Sequence, residues 1–352
     1  MSGMTSIYIG VSGLQSAQTS LNTTSHNLAN VYTEGYTRQL SFTGDRSYNT
    51  IGHSATSLKQ VGLGVSSVST SRVRSILLDS RYRTEHGREG FYKAQYEAVE
   101  EIETIFGELE GVQFQQSLEN LWSALNEMAK TPDSMVYRSE LVMYAETFID
   151  RAKSIYQETI DYQNNLNEKV RKTVDQINAY GEEINALNLK ISGMESAGEA
   201  ANDYRDQRDL LLDKLSELMN ISYSEDENHF VTVKIEGTPF VTDGGVFHMA
   251  TAELDGDKNS TYLSCIWPHL GDREVFNLNV DINTENKNDI GSLKGYLLAR
   301  GDFVGDYTYV EATRESNYDL STPAGRQALN DAIDFYNKNV DCCSMYSILR
   351  KR

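Results

Sequence analysis

Six histidines, three cysteines and 51 acidic residues are the side chains with which this 352-residue chain could do chemistry. A metal site needs His, Cys or carboxylate donors at set spacings. His26, His53, His86, His229, His248 and His269 form no His-x-x-x-His pair, and none stands in a Glu-flanked metal motif. Asp255, Asp257 and Asn259 open like a calcium loop. Ser260 then stands where the sharp turn requires glycine, and Ile266 where the bidentate glutamate belongs. Gly62 and Gly64 have phosphate-loop spacing, but neither a third glycine nor a Lys-Ser/Thr pair follows. There is no Gly-x-Ser-x-Gly elbow for a nucleophilic serine. Cys265, Cys342 and Cys343 make an odd count with one adjacent pair, which suits neither a disulfide framework nor a Cys-x-x-Cys metal site. Carboxylates are too plentiful to single out a catalytic pair. The sequence therefore names no catalytic residue, no cofactor-binding residue and no metal ligand, and the expectation is a protein that is not an enzyme.

Bulk properties narrow the class. The net charge of −19 argues against nucleic-acid binding, which needs clustered Lys and Arg. Hydrophobic residues are 39% and charged residues 24%, as in ordinary soluble protein. No apolar run approaches the roughly 20 residues of a membrane span. The N-terminus lacks the basic start, apolar core and cleavage site of a secretory signal. The length allows two or three domains with a sizeable core.

With no reactive centre, the informative elements are those patterned for contact. Ile7, Leu14, Leu21 and Leu28 fall seven apart, and Val11 and Ala17 fill steps between them. That is the seam of a helix meant to lie against another helix. The remaining positions are Ser, Thr, Asn and Gln, which compete for the backbone and form helices poorly. A helix this polar is marginal alone and is expected to order on meeting partners. Asn30 can close it, and Gly35 permits a turn before the β-rich Tyr36–Phe42.

Further along, residues 41–60 read as loop with short extended pieces, and Val61–Val68 as a half-buried strand. Ser71–Phe106 and Val112–Lys130 carry helical periods, with Gly87 and Gly90 as possible interruptions of the first. A third helix begins near Thr131-Pro132-Asp133, with Thr131 as cap. From Phe148 to Met194 its apolar positions alternate steps of four and three, with one eleven-residue period between Tyr162 and Thr173. As one helix that stretch is about 70 Å long. Gly193 and Gly198 allow a reversal. Arg205 and Asp209 on the returning helix, four apart, can pair on what reads as a solvated, ion-paired face. After Asn220 come short strands at 221–223, 230–235, 240–241, 246–249, 262–267 and 275–280. Gly291–Arg300 starts a helix, and Ala332, Phe335, Tyr336 and Val340 suit a short one. The fold class expected is mostly α with an inserted β domain: a long helical-bundle or coiled-coil rod, an N-terminal heptad helix and a small β-rich domain. The spans are 1–36 for the heptad helix and its signature, and 37–220 for the helical rod domain with short β segments. Residues 221–289 form the β-rich insertion, and 290–352 a returning helical segment with a truncated or atypical C-terminus.

Two blocks resemble the bacterial flagellar rod, hook and hook-associated family. In the first, Asn27, Leu28, Ala29, Asn30, Thr33, Gly35, Tyr36, Arg38 and Gln39 match its N-terminal signature. In the second, Asn202, Asp203, Asp206, Gln207, Arg208, Asp209, Leu211, Leu212, Leu215 and Ser216 match a block of its hook-associated members. Gly62-Leu63-Gly64-Val65 and Gly291–Arg300 are similar to further family segments. The resemblance implies a secreted, extracellular structural component at the hook–filament junction, needed for flagellum assembly and exported without a cleaved signal. It implies an assembly interface at Ile7, Val11, Leu14, Ala17, Leu21 and Leu28. The implied partners are copies of the chain in a ring, the hook protein, a second hook-associated junction protein and the flagellar export apparatus. The family pattern closes with a second heptad helix, which Ser344–Arg352 does not show, so contact with the chaperone that docks there is in doubt. The alternatives are another axial protein, of hook or rod, or a secreted coiled-coil effector using the flagellar export route. The Asn202–Ser216 block argues against the first.

Overall fold

The computed structural model describes residues 2–54, 57–107, 114–253, 262–278, 280, 282–301, 318–320 and 322–335. Asp255, Asp257, Asn259, Tyr336, Val340, Cys342, Cys343 and the Ser344–Arg352 end lie outside the described residues. The protein is mostly α-helical with small antiparallel sheets. It divides into two compact units, one from residues 1–85, 179–216 and 221–246, the other from 86–178, 217–220 and 247–352.

The first unit begins with helix α1 (Ser2–Ala29), then strand β1 (Gln39–Asp45), the hairpin β2 (Asn49–Ser54) and β3 (Ser57–Val61), and β4 (Val65–Arg72). β1 and β4 form an antiparallel ribbon, with Leu40 opposite Ser71 and Phe42 opposite Ser69. Two expectations change here. Residues 41–60 are paired strand and hairpin over most of their length, not loop, because polar Ser and Thr suit a ribbon exposed on one side. Ser71 and Arg72 belong to β4, not to a helix, because their ladder to Leu40 and Gln39 continues through a bond from Val73 N to Arg38 O of 2.9 Å.

Helix α2 (Ile76–Phe106) contributes its start to this unit, and helix α4 (Met135–Ser196) its C-terminal end. Helix α5 (Asn202–Leu218) follows, with the sheet β5 (Ile221–Glu225), β6 (Val231–Ile235), β7 (Thr238–Thr242) and β8 (Gly245–Val246) in sequential order. Ile184, Ile191, Leu212, Leu215, Val233, Ile235 and Phe240 are fully buried here.

The second unit holds the remainder of α2 and α4, helix α3 (Phe114–Lys130), the sheet β9 (Ala250–Glu253), β10 (Leu263–Trp267) and β11 (Arg273–Glu274), and helices α6 (Ser292–Arg300) and α7 (Pro323–Phe335). Ala98, Leu166 and Ala299 form its core with Val99, Ile102, Tyr162 and Tyr296. The buried Arg300 joins three elements. Its Nη1 donates to Asn167 Oδ1 and Leu263 O at 2.7 Å each, its guanidinium lies over the Tyr262 ring, and its carbonyl accepts from Gln163 Nε2. Val275 and Phe276 are both buried, and the described residues of the expected strand 275–280 form none, since two consecutive inward side chains do not alternate.

α4 is one unbroken helix of 62 residues, and Leu166, Val170, Val174 and Ile177 stay buried through the eleven-residue period. It starts at Met135, after a turn at Thr131–Ser134. Gly87 and Gly90 do not interrupt α2. A Cβ on Gly90 would stand 2.3 Å from Glu217 O, so glycine there permits close backbone approach. Gly90→Val is expected to lower stability by about 1–3 kcal/mol through overpacking. Gly193→Ala, where nothing lies within 4 Å, should raise it by about 0.5–1 kcal/mol. Paired urea unfolding curves read both.

Candidate assembly interface

α1 contains no acidic or basic residue over its 28 positions except His26. Its two faces reverse the usual arrangement. Ser12, at 2% exposure, and Ser16 are buried, while Ile7, Val11, Leu14, Ala17, Leu21 and Leu28 are all exposed, Leu14 at 73%. The helix lies on the ribbon through its small polar side. Ser12 Oγ donates to Ile9 O at 2.8 Å and accepts from Val65 N at 3.2 Å. A Cβ on Gly64 would clash with that hydroxyl, at 2.1 Å, so glycine lets the strand approach. Thr19, Ser20, Thr23 and Thr24 each donate to the carbonyl four residues back. The polar face is thus satisfied internally, and the apolar stripe is left outside.

The signature after α1 makes the joint to the ribbon. Asn27 acts like a strand residue: Oδ1 accepts from Gln39 N at 2.9 Å and Nδ2 donates to Gln39 O at 2.9 Å. The same Oδ1 accepts from Tyr36 Oη at 2.8 Å. Asn30 closes the helix onto His26 O, and Thr33 Oγ1 donates to Asn30 Oδ1. Gly35, at φ +76°, lies against Leu210. Ala29 and Arg38 are exposed.

The two blocks, 163 or more residues apart in sequence, meet here. Gln39 Nε2 donates to Asp203 Oδ1 at 2.9 Å, and Asn202 Nδ2 donates to Gln39 Oε1 at 3.3 Å. Thr37 N donates to Asp206 Oδ2 at 3.0 Å. His26, Asn30, Thr33, Glu34, Tyr36, Asp203, Asp206 and Gln207 line a cleft of about 180 Å³ between them. Desolvation, and then the charges of Asp203 and Asp206, raise the Tyr36 pKa above the ordinary phenol value.

Beneath this joint lies an ionic network. Arg72 Nη1 donates to Asp206 Oδ1 at 2.8 Å and Asp209 Oδ2 at 2.7 Å. Arg83 Nε donates to Asp213 Oδ1 at 2.6 Å, and its guanidinium stacks over Tyr223. Arg74 Nε donates to Asp79 Oδ2 at 2.7 Å. On the other side of α5, Arg208 Nη1 donates to Asn188 Oδ1 and His229 O at 2.9 Å each. Arg205 forks onto Glu195 with two bonds of 2.6 Å and reaches Glu225 at 2.8 Å. The expected Arg205–Asp209 pair is therefore replaced: each residue finds a partner on another element. Nor is this a solvated face, since Asp206 and Arg208 are 4% and 2% exposed. Burial acts to raise the Asp209 pKa, but Arg74, Arg72 and Arg83 outweigh it and hold the group below the ordinary carboxylate value. The bonds from Arg205 hold Glu195 low, and burial lowers Arg208.

Sequence reasoning passed over Arg72, Arg74 and Arg83 as partners. The one available signal was Asp206, Asp209 and Asp213 at steps of three and four, a single acidic face of α5. Among the described residues no cluster of His, Cys, Asp and Glu is arranged to hold a metal ion, and no helix is long and apolar enough to cross a membrane.

Residues 7–37 match the family model of the flagella basal body rod protein. The model of the flagellar hook-associated protein FlgK helical domain matches residues 99–317, and the chain belongs to that family. It is 28% identical over 325 residues to flagellar hook-associated protein 1 of Bacillus subtilis (strain 168), covering 86% of this chain and 62% of the relative. To the protein of the same name from Salmonella typhimurium it is 25% identical over 293 residues, covering 82% and 50%. The chain thus spans half to three-fifths of the length of these relatives. The solved flagellar hook junction protein FlgK from Burkholderia pseudomallei aligns with TM-score 0.49 and 20% identity, covering 63% of this chain and 38% of that one.

Removing one member of a buried ion cluster leaves the others uncompensated. Arg72→Ala is expected to destabilise the first unit by about 3–5 kcal/mol in urea unfolding. Because Asp209 and Glu195 have lowered pKa values when folded, their stabilisation is present above the unfolded carboxylate range, about pH 4. It is lost as pH falls through the lower folded values. Urea midpoints measured from about pH 5 down to about pH 2 should therefore fall, and Asp209→Asn should flatten the slope.

Proposed function

We propose that the chain is a structural component of the bacterial flagellum at the hook–filament junction, extracellular and needed for flagellum assembly, acting by assembly and not by catalysis. One observation carries the reading: α1 buries its hydroxyl face on its own ribbon and presents Ile7, Val11, Leu14, Ala17, Leu21 and Leu28 outward. Family membership and the names of the relatives support it.

The mechanism follows from α1's composition. A narrow apolar stripe on a helix of Ser, Thr, Asn and Gln is held weakly by local forces. Such a segment opens for passage through the flagellar export apparatus at small cost and re-forms where neighbours cover the stripe. Each leucine fully buried there contributes about 1.5–3 kcal/mol. Leu14, Leu21 and Leu28 together outweigh the loss of chain freedom only when several are covered at once, which makes insertion cooperative. The partners in this reading are copies of the chain, the hook protein and the second hook-associated junction protein, through head-to-tail contacts that close as a ring. The Asn27–Gln39–Asp203 joint sets the angle at which the stripe leaves the body.

The test is co-sedimentation of the chain with hook fragments. Wild type is expected on hook ends. Leu14→Asp and Leu21→Asp should weaken this by roughly tenfold or more while circular dichroism stays unchanged. Undiminished binding by both variants would remove the stripe from the mechanism.

A further inference from the structure

We propose that four helical asparagines, Asn27, Asn167, Asn178 and Asn188, set the register of strands on helices, each standing in for a neighbouring strand at one residue. The inference goes beyond the assembly reading and does not depend on it.

A side-chain amide carries the same donor and acceptor as a peptide group. Set beside an extended residue, it can accept from that residue's N–H and donate to its C=O, as a paired strand does. Asn27 makes both bonds to Gln39, at 2.9 Å each. At Met249, Asn178 Oδ1 accepts from the backbone N at 2.9 Å and Nδ2 donates to O at 2.8 Å. Asn188 pairs in the same way with Val231, at 3.1 Å and 2.9 Å. At Leu263 the two bonds are divided. Asn167 Oδ1 accepts from Leu263 N at 3.0 Å, and Arg300 Nη1, itself bonded to Asn167, donates to Leu263 O.

The four target residues occupy one kind of position. Gln39, Val231 and Leu263 are the first residues of β1, β6 and β10, and Met249 directly precedes β9. Arg38 O accepts from Val73 N, and Phe230 O from Asp226 N. Alternation then turns the backbone groups of Gln39 away from β4 and those of Val231 away from β5. The asparagines take up groups that these ladders leave open. Two serve each unit, Asn27 and Asn188 in the first, Asn167 and Asn178 in the second. The three on α4 directly follow the buried Leu166, Ile177 and Leu187, at intervals of about three turns.

Apolar packing alone leaves register open. A strand slipped by two residues, about 7 Å, keeps its alternation. A helix advanced by one turn, about 5.4 Å, presents a similar face. Either shift breaks both amide bonds at once and leaves an N–H and a C=O unpaired, with Met249 and Val231 only 2% and 3% exposed. The asparagines therefore act chiefly by raising the free energy of the alternatives, as one polar residue does in the seam of a coiled coil.

Amide exchange and backbone resonances of the full chain test this in Asn178→Leu, in Asn188→Leu and, as control, in Asn164→Leu at an exposed position of α4. Asn178→Leu is expected to speed exchange at residues 249–253 roughly tenfold or more and to give those amides a second set of resonances, while 231–235 keep the wild-type pattern. Asn188→Leu should do the reverse, and the control should alter neither strand. Exchange that rises by one common factor across a whole unit would mean that the asparagine only packs, which overturns the inference. Unchanged exchange overturns it too, as does a single set of resonances in every variant that folds. Asn188 is fully buried and Asn178 half-buried, so if Asn188→Leu does not fold, Asn178→Leu decides alone.

Discussion

The ion network under α5 is the constraint on which the first unit depends. Arg72 ends β4, Arg83 stands on α2, and both place their guanidinium groups on carboxylates of α5. The charges are largely out of water, so each is tolerated only while its partners stay in place. A network of this kind contributes less net stability than an apolar core of equal size. It does make alternative arrangements expensive, because a shift of α5 by one residue would strand several charges at once. The signature loop is then fixed from the same helix, through Thr37 on Asp206 and Gln39 on Asp203.

That fixation explains how α1 can be held without using its apolar stripe. A helix docked through its leucines would have buried the stripe that is exposed here. Here docking is by Ser12, by the small side chains at its level and by the Asn27–Gln39 bonds, where close approach replaces apolar burial. The result is a helix positioned at its C-terminal end by a rigid joint and otherwise weakly held. Such a helix keeps its apolar stripe uncovered while its C-terminal end stays in register with the ribbon.

The second unit uses a different device. Arg300 is buried, and its donors meet Asn167, Leu263 O and its own neighbour Gly301 O. One guanidinium fork there ties α4, β10 and α6. Both units therefore solve the same problem: long helices have periodic faces that permit sliding, and a buried arginine with directional bonds removes that freedom.

Much of this was legible in the residues alone. The heptad spacing of Ile7, Leu14, Leu21 and Leu28, the single long helix through Phe148–Met194, the returning helix at Asn202 and the strands at 231–235 and 263–267 follow from local periodicity, which records which side chains share a face. The two signature blocks were legible as patterns too. Their meeting was not. Whether α1 buries its leucines or its serines depends on what lies beside it. Which arginine faces Asp209 depends on a packing that brings together residues 137 apart, and i, i+4 spacing favoured Arg205. The polar stretch 41–60 misled for the same reason, since a two-stranded ribbon with one open face needs no apolar alternation. Sequence determined which faces exist; the tertiary structure decided which are covered, because periodicity is a property of one segment and burial is a property of two.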